Sequence, residues 1–256
     1  ITITTTATGT LPDATGTWTV EASKDNTFTT GVEFVDSGTV SGQLPFTAST
    51  DNWTPPSAGT WYFRAIYSGD NNYENSVSDP LDEQLKVMPP GPPRTQGFWA
   101  THTSFTETIF NWNWNEVSPL VIGAGSNTKV IATPEQLFGG FWSDISYESD
   151  NERRKPLEQA RMILAQQLLA AILNYEAFRA EVPIDPVTGL DLIEAGNNAY
   201  AGDKKNEMIR VERLLDDYNQ SGQSEPMPEE WKPYIGNATP DESMEMADIP
   251  YWDNLG

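Results

Sequence analysis

The sequence predicts a multidomain β plus α protein, with an N-terminal antiparallel β-sandwich and a C-terminal mainly helical domain. Three observations carry this. Apolar residues alternate with polar ones at period two through residues 1–88. The run "MPPGPP", Met88 to Pro93, breaks that pattern, and after Pro134 apolar residues recur at three- and four-residue steps. A chain of 256 residues also exceeds the usual size of one domain. The expected division is 1–88, a proline-rich linker at 89–93, and 94–256.

The strands come first. "ITITTTATG" sets Ile1 and Ile3 against threonines. "GTWTVEAS" puts Trp18, Val20 and Ala22 on one face and Thr17, Thr19 and Glu21 on the other. "GVEFVD" and "QLPFTAS" read as shorter strands, and "EQLKVM" as the last. "TWYFRAIYSG" is the clearest, with Trp61, Phe63, Ala65 and Tyr67 facing one way. Clusters of Gly, Pro, Asp, Asn and Ser lie between them, the punctuation of short loops. Six or seven such strands in about ninety residues is the range of an Ig-like antiparallel β-sandwich.

The prolines of "MPPGPP" lack backbone donors and hold the chain extended, so the run is expected to act as a semi-rigid spacer. Helices follow. "ATPEQLFGGFW" opens with Thr133 as cap and Pro134 at the first helical position, and is expected to stop at its Gly pair. The longest helix is expected over Pro156 to Ala180. Leu157, Ala160, Leu164, Leu168, Ala171, Tyr175 and Phe178 form one apolar stripe on it. A poorer helix covers "LDLIEAGNNAYA". Another begins after Asp203, carries Met208, Val211, Leu215 and Tyr218 in register, and stops at Gly222. The tail from Ser224 has no period and is expected to wrap the domain through Trp231, Tyr234, Tyr251 and Trp252.

Two stretches resemble known families. "PPSAGTWYFRAIYSGDNNYENSVSDPLDEQLKV", Pro55 to Val87, resembles the final two strands of Ig-like repeat modules in bacterial and archaeal surface proteins. There an "AGTY.F.A.YSGD.N" segment precedes a polar loop and an "E...V" strand. The resemblance implies a sandwich spacer or assembly module on a secreted protein. "RTQGFWATH", starting at Arg94, resembles the "TxGFWKNH" or "TPGYWKNH" opening of a TQGFW-type domain of secreted prokaryotic proteins. That family follows it with an "LaxQLiAAkLN" helix, which "ILAQQLLAAILN", Ile163 to Asn174, matches. The basic "KN" before the histidine is "AT" here, and "NWNWNEVSPL" with "SNTKVIATPEQ" forms a longer insert. This second resemblance implies a domain appended to surface proteins.

Charge and composition exclude several function classes. The net charge is −22, from 15 basic and 37 acidic side chains spread over both halves. Such a surface repels nucleic-acid phosphates and anionic lipid heads, favours divalent cations, and is relieved by salt. With no cysteine there is no disulfide, thiolate metal site or Cys nucleophile. No apolar run reaches membrane length. The sequence opens at Ile1 without Met, as expected where a signal segment has been removed, with a fragment as the alternative.

Candidate site residues follow from these elements. Gly97 lets the chain turn out of the linker, and Phe98 and Trp99 are expected to anchor on the long helix. His102, the only histidine, reads as a core residue, with metal ligand and base as alternatives. No HExxH or GxSxG accompanies it. Trp112 and Trp114, two apart in "NWNWN", would form a flat sugar-stacking surface on a strand, or a buried aromatic cluster.

"DPVTGLD" offers Asp185 and Asp191 to structural calcium, and "SGDNNYEN" offers Asp70, Asn71 and Glu74, although neither has EF-hand spacing. Asn52, Asn219 and Asn237 fit the N-glycosylation pattern. Glu107 and Glu135 are carboxylates that a hydrolase would pair. The strand Ile1, Thr2, Ile3, Thr4, Thr5 suits donation into a neighbour's sheet edge, or ordinary pairing within its own sandwich.

The expectation is a secreted, non-enzymatic structural or adhesive protein at the cell surface, assembling with copies of itself into a filament or surface layer. The alternative is a carbohydrate-binding surface protein that meets cell-surface glycans through Trp112, Trp114 or Trp231.

Overall fold

The computed structural model describes residues 2–4 and 11–255. Its contacts divide the chain into two compact units, Ile1–Pro89 and Pro90–Gly256. The architecture is β plus α: antiparallel sheets make the first unit, and helices with one hairpin make the second.

The first unit holds seven strands among the described residues. They are β1 (Thr2–Ile3), β2 (Thr17–Ser23), β3 (Glu33–Thr39), β4 (Phe46–Thr47), β5 (Gly59–Tyr67), β6 (Ser76–Val77) and β7 (Gln84–Val87). Five of them form one antiparallel sheet in the order β3-β2-β5, with β6 and β7 pairing successive stretches of the far side of β5. In β2 the alternation is realised as predicted, with Trp18, Val20 and Ala22 buried. Trp18, Val20 and Tyr67 form the core together with Ile3, Ala14 and Val40.

Three strand expectations change. "ITITTTATG" contributes only Thr2–Ile3 among the described residues, while Ile1 and Thr5 lie outside them. "QLPFTAS" shrinks to Phe46–Thr47, which pairs with β1 as a separate two-stranded ribbon. The two-residue β6 falls in a stretch read as polar loop. The Tyr67 hydroxyl donates to the Thr15 carbonyl at 2.6 Å, fastening the start of β2 to the end of β5.

The second unit is built around one helix. Its elements are α1 (Gln96–Thr101), α2 (Thr103–Asn113), β8 (Leu120–Ala124), β9 (Asn127–Ile131), α3 (Pro134–Trp142), α4 (Pro156–Phe178), α5 (Leu192–Ala201) and α6 (Lys205–Ser221). Two short helices follow, α7 (Lys232–Ile235) and α8 (Pro240–Met246), then a 3₁₀ turn at Ile249–Trp252. The expected single stripe on α4 is too narrow. Met162, Ala165, Leu169, Ala170, Ile172 and Leu173 are buried as well, because α1, α2, α3, α5 and α6 all pack on this helix. Tyr175 is its exposed exception.

The Gly139–Gly140 pair is not a stop. It lies inside α3, where a Cβ on Gly139 would come within 2.2 Å of the Asp248 carbonyl oxygen and one on Gly140 within 2.7 Å of the Trp252 ring. The pair exists to let the C-terminal segment press onto the helix. There the Asp248 amide donates to the Glu135 carbonyl at 2.9 Å and the Trp252 indole to the Gln136 carbonyl at 2.7 Å. The expected wrap of the tail holds for Trp231 and Trp252, both buried, but leaves Tyr234 exposed.

Pro90–Pro93 belongs to this unit rather than spanning freely. Its Gly91 amide donates to the Phe178 carbonyl at the end of α4, at 2.9 Å.

Candidate functional site

The opening of the helical unit is a seam built on one amide. Thr95 caps α1, its hydroxyl accepting from the Phe98 amide at 3.2 Å, and the helix that starts there carries Trp99 into the core. Trp99 is fully buried, stacked on Phe105 at 5.6 Å and tilted against Phe178 at 5.5 Å. Its indole N–H donates to Asn174 Oδ1 at 3.0 Å, beside the Arg94 amide at 2.7 Å. Asn174 Nδ2 donates back to the Arg94 carbonyl at 2.8 Å and to Asn219 Oδ1 at 2.9 Å. Asn219 Nδ2 then donates to the Gln167 backbone and side-chain oxygens, each at 2.9 Å. Every polar atom of Asn174 is thereby satisfied, as a fully buried amide requires. "RTQGFW" and the final Asn of "ILAQQLLAAILN" meet at this point.

His102 is part of the same packing. Its Nδ1 faces the Phe98 carbonyl at 3.0 Å, so that nitrogen carries the proton and donates it. The ring stacks on Phe98 at 4.1 Å. Beside it an open cleft of about 550 Å³ is lined by Arg94, Phe98, Met227, Lys232 and Ile235. The Arg94 guanidinium is already spent on the Gly222 and Glu225 carbonyls, at 2.7 and 2.9 Å.

The acidic residues read as ligands are occupied. Asp185 is fully buried and accepts from Arg210 Nη1 and Nη2, both at 2.7 Å, from Thr188 Oγ1 at 2.7 Å and from the Val187 amide at 3.0 Å. This Arg210 pairing holds its carboxyl well below the usual carboxylate range. Asp191 instead caps α5, accepting from the Glu194 amide at 2.8 Å. In "DPVTGLD" the Asp185 and Asp191 oxygens thus face protein donors rather than one another.

Asp70 is used the same way. It accepts from the Thr15 amide at 2.6 Å and from the Asn72 and Tyr73 amides at 2.7 and 2.8 Å. The Thr15 amide foremost, then that of Asn72, bring its pKa down to about 2. Among the described residues, the carboxylates that do gather are Glu148, Asp150 and Glu152, with oxygens within 4.8 Å of one another. Sequence spacing gave no sign of them beyond their local density.

The first three residues of "NWNWN" end α2 and Trp114 lies beyond it, so the stretch is not a strand platform. Trp112 lies in α2 and is 59% exposed, edge-on to Tyr234 at 6.5 Å. Trp114 follows the end of the helix and tilts against Phe110 at 5.6 Å, so the two indoles do not form one flat surface. Trp231 is buried between Phe105 and Phe178. Of the glycosylation candidates, Asn52 and Asn237 are exposed, whereas Asn219 is buried in the Asn174 network and is closed to a glycan. Glu107 sits within α2 and Glu135 in the first turn of α3.

Lys129 escaped the sequence reading. It is buried on β9, and its Nζ donates to the Tyr251 carbonyl and, at 3.0 Å, to the Asn254 carbonyl. Burial first, then nearby Arg154, lowers its pKa to about 8. Arg154, also buried, donates to the Trp252 carbonyl at 2.9 Å. Both cations anchor the C-terminal segment, and a lone Lys or Arg in sequence carries no trace of such a partner.

The strand read as a donor is paired at home. Thr2 and Ile3 face Thr47 and Phe46, and Ile3 is buried against Trp18 and Val20; Thr4 is exposed beyond the strand. Among the described residues, the two edges of the five-stranded sheet pair with no further strand. Phe34, on β3, is 63% exposed, while Val77 on β6 and Leu85 on β7 are exposed along the opposite edge. No family model matches the chain, and neither a curated protein nor a solved structure matches it.

Proposed function

We propose that this protein is a non-enzymatic, extracellular structural subunit that associates with copies of itself into a filament or surface layer. Its N-terminal unit serves in this reading as an abbreviated Ig-like sandwich, as the Pro55–Val87 resemblance implies. One observation carries the proposal: both edges of the five-stranded sheet present exposed apolar side chains, Phe34 on one and Val77 and Leu85 on the other. Soluble proteins normally blunt their sheet edges with charge, proline or a covering segment, since an apolar edge is a template for pairing. Two different edges on one subunit make a heterologous contact, which need not close and so propagates. This replaces donation of Ile1–Thr5 as the assembly route, because Ile3 is committed to its own core.

Light scattering against protein concentration, with negative-stain electron microscopy of the same samples, tests the proposal. Growing particles and extended assemblies are expected. A monodisperse monomer at every concentration would sink it.

The Trp112–Tyr234 pair supports a second reading, an aromatic surface for cell-surface glycans. Its two rings are exposed and adjacent, the arrangement that stacks on a sugar face. Quenching of tryptophan fluorescence on titration with a glycan panel, abolished in Trp112→Ala, is the outcome that would favour it.

A further inference from the structure

Arg94 is an exception among the arginines of this chain. Arg64, Arg154, Arg161 and Arg210 are buried or half-buried, and each faces a carboxylate at 2.7 to 3.7 Å. Arg94 is half-buried too, yet among the described residues it forms no salt bridge. Its bonds to the Gly222 and Glu225 carbonyls satisfy protons but bring no full negative charge. Burial foremost pulls its pKa down, and the Glu225 charge opposes this from outside ion-pair distance. A cation drawn out of water ordinarily has an anionic partner, and this chain has 37 carboxylates to offer one. The charge of Arg94 is left unanswered.

The cleft of about 550 Å³ that Arg94 lines also holds a glycine with no steric reason to be one. Gly97 lies inside α1, and its φ is not in the left-handed region. A Cβ there would meet only the Thr95 hydroxyl oxygen, at 3.9 Å. Gly139 and Gly140 differ, since the C-terminal segment fills the space their Cβ atoms would need. Glycine weakens a helix relative to alanine, and no described neighbour requires it at position 97. Bare backbone in the cleft wall does leave room for a ligand to approach closely.

We propose that this cleft binds a small carboxylate with an apolar body, the acid against Arg94 and Lys232 and the body against Phe98, Met227 and Ile235. A planar carboxylate matches the guanidinium fork and supplies the missing charge. Among the described residues, none that lines the cleft is acidic, so nothing in its wall repels such a ligand. Lys232 is exposed and pairs with Glu229 at 2.6 Å. An exposed pair of this kind holds little energy, so the ammonium can turn to a second carboxylate. The Gln223 amide and the Thr95 hydroxyl line the same cleft and can donate to its oxygens. The volume suits a compact organic acid. Every residue used lies in Pro90–Gly256, so the inference is independent of self-association and of the sheet unit.

Calorimetric titration of the full chain with phenylacetate and with octanoate tests this, with phenylacetamide and inorganic phosphate as controls. Each acid should saturate one site. Phenylacetamide should bind about tenfold more weakly or worse, having lost the charge-assisted pair. Phosphate, which has no apolar body, should bind more weakly than either acid. Lys232→Gln should weaken both acids and leave the amide unchanged. Gly97→Leu puts a side chain into the cleft where it meets no packed neighbour. That variant should melt no lower than wild type, as leucine favours the helix, and lose about tenfold or more in acid binding. Failure of both acids to saturate a site overturns the inference. So does an amide or phosphate that binds as tightly as the acids, or a Gly97→Leu form that binds them as wild type does.

Discussion

Asn174 Oδ1 accepts the Trp99 indole proton at 3.0 Å and the Arg94 amide at 2.7 Å, so a single side chain on α4 fixes the start of the helical unit. Replacing it by Leu keeps the branched outline but strands two donors, the Arg94 carbonyl and the partner oxygen of Asn219. Each stranded group costs about 1–3 kcal/mol. Asn174→Leu should therefore lower stability in urea by about 3 kcal/mol or more. A variant as stable as wild type would show that the network contributes little.

Trp99 should behave as a core anchor. It is fully buried among Phe98, Phe105 and Phe178. Trp99→Ala is expected to cost about 3–5 kcal/mol, the range for deleting a buried large aromatic. Chemical denaturation measures it, and a change below about 1 kcal/mol, closer to what a surface residue gives, would contradict the packing role.

Gly139→Ala should loosen the C-terminal segment. The added methyl meets backbone, the Asp248 carbonyl at 2.2 Å, which cannot rotate aside as a flexible side chain would. Overpacking of this kind costs about 1–3 kcal/mol. Limited proteolysis should cut after Ala247 in the variant sooner than in wild type. Equal protection would mean that the segment is held without α3.

Acid should weaken both units through different carboxylates. Hydrogen bonds from Thr15 and Asn72 hold Asp70 at about 2, and Arg210 holds Asp185 below the usual 3.8. In both cases the folded pKa is depressed, so the native state binds fewer protons than the unfolded chain. The stabilisation is complete above the unfolded value of 3.8 and is lost as pH falls through the folded value. Thermal midpoints should drop below about pH 4 in wild type. Asp70→Asn and Asp185→Asn should start lower and fall less, and curves parallel to wild type would contradict the assignment.

Much of this was legible from period alone. The face of β2, the buried Trp61 and Tyr67 of β5, and the extents of α4 and α6 follow from apolar spacing. The hairpin of β8 and β9 was hidden because "LVIGA" is apolar on both faces. Val121 and Val130 are exposed although apolar, and only Gly125, at φ 61, marks the two-residue turn. Trp112 and Trp114 imitate a strand by their two-residue spacing, yet the helix runs through Asn113.

The fates of Asp185 and Asn219 were beyond reach for another reason. Arg210 lies 25 residues from Asp185, and Asn174 lies 45 from Asn219, so their roles exist only once α4, α5 and α6 have packed. The glycosylation pattern at Asn219 is blind to burial. The Gly139–Gly140 pair looks like a helix stop from local propensity, and only the distant Asp248 and Trp252 explain it.

Phe34 offers a further check on assembly. It is the most exposed aromatic on the sheet edge of β3, and Phe34→Asp adds charge there without touching the buried core. The variant should melt as wild type does and associate more weakly. Unaltered association would remove the β3 edge from the account.

The central claim is that copies of this chain add to one another without closing. Sedimentation equilibrium of the wild-type protein at several loading concentrations tests this most directly. The account predicts a weight-average mass that climbs with concentration past dimer and trimer with no plateau. A mass fixed at 28.4 kDa throughout, or one that levels at a closed oligomer, would contradict it.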